Sequence, residues 1–348
     1  MDDQSVEFVR EGYVVSPQNG MLEGQSLPNH AFLGREYRRE SDGTYLQNWN
    51  PLLLARDLRA GEIIGKDFLG TRVIIYRGPD GKPVVQSAYC PHVGADLSLG
   101  TLVDGNVRCA YHHWKFAPDG QCVEIPEADR IPSSTCIFNY PAQERWGLIW
   151  AFNGETPLFG LPEMPNVSED ELIFEVDRHG LRPVEGFISS SNVVDFQHLK
   201  TVHGIANPIP TSIVFEDYVV KVHQEAPDRI ADSHLYGATW LGIHLQYPNT
   251  PERFFMAGSS QVAPGLSDAF YLVAMRRSEA EKIGEDAARA RLQQQIAYVQ
   301  KLYSEDEPIL FSMRFRGRGK SKLIGIDQYF AKFLQYVDNY PRAKPFDV

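Results

Sequence analysis

Long apolar segments are absent from this sequence. None of the 348 residues falls in an apolar run of about eighteen residues or more, the length that a membrane-spanning helix needs. The chain begins Met1-Asp2-Asp3-Gln4, which is acidic and polar, whereas a signal peptide begins with positive charge and an apolar stretch. We therefore expect no membrane association and a location in the cytoplasm.

Positive charge is also scarce. The 34 Lys and Arg residues are outnumbered by 45 Asp and Glu residues, which leaves a formal net charge of −11 at pH 7. Because affinity for nucleic-acid backbones rests on clustered Lys and Arg, this balance argues against a nucleic-acid partner. No Gly-x-Gly-x-x-Gly opens a helix after a predicted strand, so the sequence does not predict an NAD or flavin site.

Cysteine is rare, with four residues in the chain: Cys90, Cys109, Cys122 and Cys136. A disulfide framework is not expected in a reducing cytoplasm. Cys122 and Cys136 could pair in principle, but the compartment favours two free thiols. The other two cysteines stand in a pattern that suggests a different use.

Each of those two cysteines is followed closely by a histidine. Cys90-Pro91-His92 is separated by sixteen residues from Cys109-Ala110-Tyr111-His112. Structural zinc sites usually take their ligands as a cysteine pair and a histidine pair, whereas here each pair is mixed. Mixed pairs suit a [2Fe-2S] cluster of the Rieske type, in which two Cys bind one iron and two His bind the other. Such a cluster relays single electrons and catalyses nothing by itself.

These two loops resemble those of the Rieske non-heme iron oxygenases, whose second ligand pair is followed by Gly-Trp. The present sequence departs from that pattern at Val93, Ala110 and His113, where Arg, Pro and Gly are common. Rieske proteins of respiratory complexes carry an additional Cys in each loop, and Ala95 and Tyr111 stand in those places here. The four ligands remain intact, so the resemblance implies a bound Rieske cluster.

A second group of candidate residues lies in the segment 192–204. If this segment is helical, Asp195 and His198 share a face, but His203 lies about 140° away from His198. Two histidines on one metal therefore require the helix to distort or to end before Gly204. The segment resembles the oxygenase family's Asp-x2-His-x4-His motif, which implies that His198 and His203 bind a mononuclear iron.

The same resemblance gives Asp195 a role in electron transfer. It implies that Asp195 accepts a hydrogen bond from a Rieske histidine of a neighbouring subunit and orients an iron-binding histidine. Either His92 or His112 could be that partner.

A third iron ligand is needed to complete a facial triad of two histidines and one carboxylate. The stretch Ser304-Glu305-Asp306-Glu307-Pro308-Ile309 resembles the family's acidic motif, which implies that Asp306 is the ligand. The chemistry of the residues alone leaves Glu305, Asp306 and Glu307 open. A solvated acidic helix end is the alternative interpretation.

The predicted fold is α+β. We expect an N-terminal arm over 1–47, an antiparallel β Rieske domain over 48–155, and a catalytic domain over 156–348 built on an antiparallel sheet, which the resemblance implies is helix-grip-like. Apolar spacing predicts one long helix from about Gly284 to Ser304 and a last helix that includes Ile326 and Val337.

The resemblance implies the terminal oxygenase component of a multicomponent system. Such a protein uses O2 and electrons from a separate NAD(P)H-dependent reductase or ferredoxin to hydroxylate or demethylate an apolar, aromatic or steroid-like substrate. The similarity is greatest to the steroid 9α-hydroxylase and dicamba demethylase groups, which implies a head-to-tail homotrimer. The alternatives are a Rieske electron carrier without oxygenase activity and a zinc-stabilised binding module.

Two further sets of residues are candidates for binding. Arg108 and Lys115 flank the second ligand loop and could dock an acidic electron donor, whereas the basic run from Arg314 to Lys322 is more simply a solvated loop. The apolar substrate pocket could be lined by residues near the histidine motif and on the sheet: Phe187, Val202, Ile205, Asn207, Trp240 and Phe255.

Overall fold

The computed structural model describes residues 8–10, 13–15, 43–206, 209–315 and 317–346. Most of the predicted arm therefore lies outside the described residues. Its two described pieces, β1 (Phe8–Arg10) and β2 (Tyr13–Val15), pair as an antiparallel hairpin. Within the described ranges, no helix is long and apolar enough to cross a membrane.

The part of the chain from Tyr45 to Phe152 is built from short strands, and all of them except β3 lie in three small antiparallel sheets. The strands are β3 (Tyr45–Leu46), β4 (Trp49–Leu54), β5 (Ile64–Phe68), β6 (Thr71–Arg77), β7 (Pro83–Ser87), β8 (Thr101–Val103), β9 (Asn106–Arg108), β10 (Lys115–Phe116), β11 (Cys122–Glu124), β12 (Asn139–Tyr140), β13 (Ala142–Arg145) and β14 (Leu148–Phe152). The sheet orders are β12-β7-β6-β5, β13-β14-β4 and β11-β10-β9-β8. The last of these sheets carries the second of the two cysteine-histidine loops, between β9 and β10.

The second half is dominated by one seven-stranded antiparallel sheet in the order β15-β21-β20-β19-β18-β17-β16. Its strands are β15 (Leu172–Arg182), β16 (Ser212–Phe215), β17 (Val219–Ala226), β18 (Arg229–Tyr236), β19 (Trp240–Gln246), β20 (Arg253–Ala263) and β21 (Leu266–Arg276), and β22 (Arg342–Ala343) follows near the C terminus. The helices are α1 (Gly186–Ser190), α2 (Phe196–Thr201), α3 (Arg277–Ile283), α4 (Glu285–Ser312) and α5 (Gln328–Asn339). The predicted α+β class is confirmed.

Short 3₁₀ turns connect several of these elements. They span Ala55–Asp57, Leu97–Leu99, Glu169–Glu171, Ser191–Val193 and Gly325–Asp327.

The long helix α4 packs on the large sheet through an apolar stripe. Ala288, Leu292 and Val299 contact Tyr271 and Val273 of β21. The predicted end of this helix at Ser304 is wrong, because the structure continues it to Ser312 with Pro308 inside it. The continuation is stabilised by Leu310, which is buried in a second core. The acidic run at 305–307 therefore lies within the helix rather than at its end.

The two halves share buried surface. Trp150 of β14 and Trp240 of β19 meet edge to face with ring centroids 4.7 Å apart, inside one continuous core. At the far end of the chain, β22 pairs with β3, and Phe346 stacks on Phe138 at 3.7 Å. The domain boundary at 155/156 stays a prediction, and one of the hydrophobic cores includes residues from both sides of it.

Candidate metal centres and their cavity

The two cysteine-histidine loops have the same backbone hydrogen-bond pattern. The Cys90 N–H donates to the Ala95 carbonyl at 2.9 Å, and the Gly94 N–H donates to the Cys90 carbonyl at 2.8 Å. In the second loop the Cys109 N–H donates to the Trp114 carbonyl at 2.9 Å, and the His113 N–H donates to the Cys109 carbonyl at 3.1 Å. The sequence therefore forms two equivalent tight turns, each of which presents one cysteine and one histidine.

The fourth residue after each cysteine adopts a left-handed backbone conformation. Gly94 has φ +80° and His113 has φ +60°. Glycine enters this region at no steric cost, whereas a residue with a Cβ is strained there. This geometry explains why Gly is common in the family at the position of His113, and it makes His113 a local departure from the favoured residue.

The side chains of the two loops divide by burial. The thiols of Cys90 and Cys109 are packed in the local core, at 2% and 1% exposure, while His92 and His112 are exposed. The two imidazole rings lie 4.4 Å apart between centroids, and Trp114 stacks on His92 at 4.5 Å. Burial raises the pKa of the Cys90 thiol to about 11, so the thiolate needs a metal to stabilise it. Two inner thiols and two outer imidazoles fit a cluster with Cys on one iron and His on the other.

The remaining cysteines form no disulfide. Cys122 is buried in the core beside the two loops, and Cys136 is partly exposed. Both are free thiols in the structure.

The second candidate centre begins at α2, which is short. The Asp195 side chain caps its N terminus by accepting from the His198 N–H at 3.2 Å. The helix ends at Thr201, and Gly204 has φ +66°. The helix thus ends between His198 and His203, as a shared metal requires, and the two rings lie 5.2 Å apart between centroids.

Three predicted ligands converge at this point. One potential ligand atom from each of His198, His203 and Asp306 lies within 4.8 Å of the other two. His203 Nε2 is 3.2 Å from Asp306 Oδ1, and the Asn192 amide donates to Asp306 Oδ2 at 2.9 Å. Two imidazoles and one carboxylate are the donors of the facial triad that holds non-heme Fe(II), so the residues fit that metal.

Both imidazoles are held through their Nδ1 atoms. His198 Nδ1–H donates to the backbone carbonyl of Asp195, and His203 Nδ1–H donates to Glu305 Oε2 at 2.8 Å. Each Nε2 is then left as the available ligand atom. Burial lowers the pKa of His198, which keeps this imidazole neutral and able to bind a cation.

The two acids that flank Asp306 point to other partners. The hydrogen bond from His203 lowers the pKa of Glu305, and Lys301 lies 3.5 Å from the same carboxylate. Glu307 Oε1 is 2.7 Å from His179 Nε2 and 3.0 Å from Arg182 Nε. Burial alone would raise the pKa of Glu307, but these two partners lower it. Of the three acids left open by the sequence, Asp306 is the one that faces both histidines.

A cavity of about 490 Å³ opens beside this triad. His198, His203 and Asp306 form part of its wall, together with apolar side chains from β19 and β20. Of the residues predicted to line a pocket, Ile205 and Phe255 do so. Three of the others lie elsewhere, namely Phe187, Val202 and Trp240, and the first and last of these are buried in cores. Asn207 lies outside the described residues.

Known proteins share both the sequence of the cluster region and the fold. Residues 48–139 match the Rieske [2Fe-2S] domain. The oxygenase subunit of 3-chlorobenzoate-3,4-dioxygenase from Comamonas testosteroni is 31% identical over 198 residues, which cover 51% of this chain and 45% of the relative. The oxygenase component of chloroacetanilide N-alkylformylase from Rhizorhabdus wittichii is 30% identical over 235 residues, covering 64% of this chain and 65% of the relative. The chain therefore contains a Rieske [2Fe-2S] domain and is similar in sequence to these oxygenase components.

The solved structures extend this similarity to the whole fold. Dicamba monooxygenase bound to dicamba aligns with a TM-score of 0.62 at 19% identity, covering 85% of this chain and 97% of the other. This likeness shows that the small cluster region and the large sheet together share the fold of that enzyme. The chain spans about half the length of the curated relatives it matches.

The remaining predicted residues differ in how well their surroundings suit the roles predicted for them. The Asp195 carboxylate is 37% exposed beside the triad, where a partner could reach it. Lys115 forms an ion pair with Glu124 at 2.7 Å, which reduces the charge that it can offer to a docking protein. In the basic run, Arg316 lies outside the described residues, and Arg318 pairs with Asp338 at 3.2 Å.

Several residues of the site were not found from the sequence. Asn192 and Arg182 contact the acidic run, and His179 contacts Glu307 within it. None of the three belongs to a short motif. Arg182, inside an otherwise strand-like run, was the one available signal, because a buried arginine needs a partner.

Proposed function

We propose that this protein is the terminal oxygenase component of a multicomponent Rieske oxygenase system, which hydroxylates or oxidatively demethylates an apolar substrate. One observation carries the proposal: a triad of two histidines and a carboxylate stands in the wall of an apolar cavity. A protein that only carries electrons has no use for a second metal site that opens onto a cavity. The names of the relatives, which are oxygenase components, support the same function.

We infer that Cys90, His92, Cys109 and His112 hold the cluster, and that His198, His203 and Asp306 hold a mononuclear iron. A bound iron would supply O2 activation at its open coordination positions. The chain supplies the geometry. Asn192 fixes the Asp306 carboxylate with a hydrogen bond, and the apolar wall excludes water from the substrate.

Glu305 has a positioning role in this proposal. Its carboxylate holds His203 Nδ1 at 2.8 Å, so His203 can present only Nε2 toward Asp306. Such outer partners orient metal-binding histidines and raise their basicity. His198 is held by a backbone carbonyl instead, so the two histidines are fixed by partners of different charge.

Electron delivery in the proposed enzyme runs between subunits of a head-to-tail homotrimer. The exposed edges of His92 and His112 on one subunit would meet Asp195 of the next, which touches His198 through its backbone. Exposed apolar side chains near the cluster loops support a protein contact there: Tyr89, Val93, Leu99 and Tyr111. A reductase or ferredoxin would supply the electrons, with Arg108 as the better docking candidate because Lys115 is already paired.

Iron analysis combined with an O2 uptake screen tests the proposal. Purified protein should contain about three irons per chain, since the cluster takes two and the triad takes one. With a surrogate reductase, some apolar aromatic or polycyclic compounds should increase O2 uptake and yield a product that is oxygenated or demethylated. Two irons per chain and no compound-dependent uptake across a broad library would instead establish an electron carrier.

A further inference from the structure

The charged side chains in the wall of the cavity, apart from the triad, already have partners. Arg182 donates to Glu307 Oε1 at 3.0 Å. Arg229 donates to the Ala206 carbonyl at 2.8 Å and to Asp228 Oδ2 at 3.3 Å. Among the described residues that line the cavity, these two arginines and Asp228 are the only charged ones outside the triad. The wall therefore pairs its own charges and leaves none for a ligand.

Ser233, in the middle of β18, places an uncharged polar group on the cavity side of the large sheet. It lines the cavity and lies opposite Val222 of β17 and Ile243 of β19. Its neighbours on the same face of β18 are Ala231 and Leu235, so it is surrounded by apolar side chains. The residue is only partly buried, and its hydroxyl makes no hydrogen bond within the part of the chain that the structure describes. The accessible surface of this hydroxyl therefore faces the cavity.

We propose that Ser233 is a specificity-determining residue, and that the cavity selects uncharged ligands whose apolar ring body carries one hydrogen-bonding substituent that reaches Ser233. This inference rests on the proposed function in taking the cavity as the substrate site. A hydrocarbon that covers Ser233 removes water from its hydroxyl without replacing the lost hydrogen bond, which weakens binding. A hydroxyl or carbonyl oxygen on the ligand replaces that bond, because a serine hydroxyl both donates and accepts.

The pairing of the wall charges favours an uncharged substituent over an ionised one. A carboxylate or ammonium group on the ligand would lose its water and find no opposite charge without a partner beside it, which is costly in an apolar site. Burial raises the pKa of Tyr298, another residue of the wall, so its phenol also stays neutral at pH 7. An alcohol, ketone or amide therefore suits this cavity better than an ion.

The apolar surface beside Ser233 is large enough for a fused-ring body. Leu241, Ile243 and Leu245 line the cavity along β19, and Phe255 of β20 lies opposite Ile243. Ser233 is opposite the middle one of the three, so apolar surface extends by two residues, or about 7 Å, in each direction along the strand. A cavity of about 490 Å³ accommodates a two-ring ligand in this space.

Two probes of similar shape test the role of Ser233. Titration calorimetry on the intact, anaerobic protein without reductant compares the affinities of 2-naphthol and 2-methylnaphthalene, which differ in the hydrogen-bonding group. Ser233→Ala should lower the ratio of the naphthol affinity to the methylnaphthalene affinity about three- to tenfold, which corresponds to the loss of one hydrogen bond. Ser259→Ala is the matched control. It makes the same change on the same sheet, but the Ser259 hydroxyl is fully buried, so the ratio should stay unchanged.

A second pair of probes tests the selection against charge. Naphthalene-2-sulfonamide and naphthalene-2-sulfonate have nearly the same shape, but only the sulfonate is charged at pH 7. We expect the sulfonamide to bind at least about tenfold more tightly.

Four outcomes would overturn the proposal. They are equal or tighter binding of the sulfonate, an unchanged affinity ratio in Ser233→Ala, an equal fall of that ratio in Ser259→Ala, and no binding of any of the four probes. Because binding is measured without turnover, these outcomes are distinguishable from failure of the oxygenase function, which the O2 uptake screen measures.

Discussion

The two candidate metal centres differ in how their ligands are distributed along the chain. The cluster ligands come from two equivalent turns between Cys90 and His112, each closed by its own backbone hydrogen bonds. The second centre joins a short helix to an acidic residue about one hundred positions downstream on α4. In the first centre the histidines face solvent, whereas in the second they are partly buried and line a cavity. The difference suits an electron relay that must meet a partner and a reaction site that must exclude water.

The largest expected difference is in metal content, when one ligand is removed from each centre in turn. Cys109→Ser should abolish the cluster, its colour and its EPR signal while leaving one iron per chain, because the triad is built from other segments. His203→Ala should leave the cluster spectrum unchanged and remove the third iron. Iron analysis and EPR of both variants check this. Loss of both metals in either variant would contradict the independence of the two centres.

Asp195→Asn tests the connection between the centres. The asparagine side chain has the same size as that of aspartate and can still cap α2. It lacks the charged carboxylate that would accept a hydrogen bond from a Rieske histidine. We expect unchanged iron content and an electron transfer rate to the second iron that is lower by about 10- to 100-fold. Rapid-mixing oxidation of the prereduced cluster measures this rate, with Asn192→Asp as a variant that adds charge nearby. An unchanged rate would rule out Asp195 as the bridge.

Glu305→Gln asks how much the second centre depends on an outer partner that the cluster loops do not have. The amide can still contact His203 Nδ1 but carries no charge. Iron affinity should fall by about tenfold, measured by competition with a chelator, while the cluster signal stays the same. Lys301→Ala is the matched control, because it removes only the 3.5 Å contact on the far side of Glu305. If Glu305→Gln and the unmodified protein bind iron with equal affinity, Glu305 has no positioning role and makes only a surface contact.

Exposed and buried histidines should also differ in how strongly they make the free energy of unfolding depend on pH. Burial lowers the pKa of His244, which is 1% exposed in the large sheet. The unfolded chain then binds a proton more readily than the folded protein, so stability should fall as pH drops below about 6.5, by up to about 1.4 kcal/mol per pH unit for this group. Urea unfolding of the unmodified protein and of His244→Gln measures the slope, which should be shallower in the variant.

The smallest expected effect is at His113, where the two cluster turns differ. His113→Gly would place in the second turn the residue that the first turn has at Gly94. Relief of the left-handed strain should raise the free energy of unfolding by up to about 1 kcal/mol, partly offset by the greater freedom of glycine in the unfolded chain. Chemical denaturation of the cluster-loaded protein measures the free energy of unfolding, which Gly94→Ala should lower.

The α+β class and, as a hypothesis, the cluster ligands could be predicted from the amino-acid sequence, because both depend on residues close together in the chain. Hydrogen bonds within a turn and alternation along a strand are local, so they are visible in a short window of sequence. It also required that α2 end before His203, since a continuous helix would separate the two histidines by about 140°.

Which acid joins both histidines could not be predicted from the sequence, because Glu305, Asp306 and Glu307 project in different directions from one helix, and the packing of α4 on the sheet fixes those directions. The same packing brings Asp306 to His198 and His203, which lie about one hundred positions earlier in the chain. Contacts of this kind depend on how elements pack, and no local pattern of residues records that.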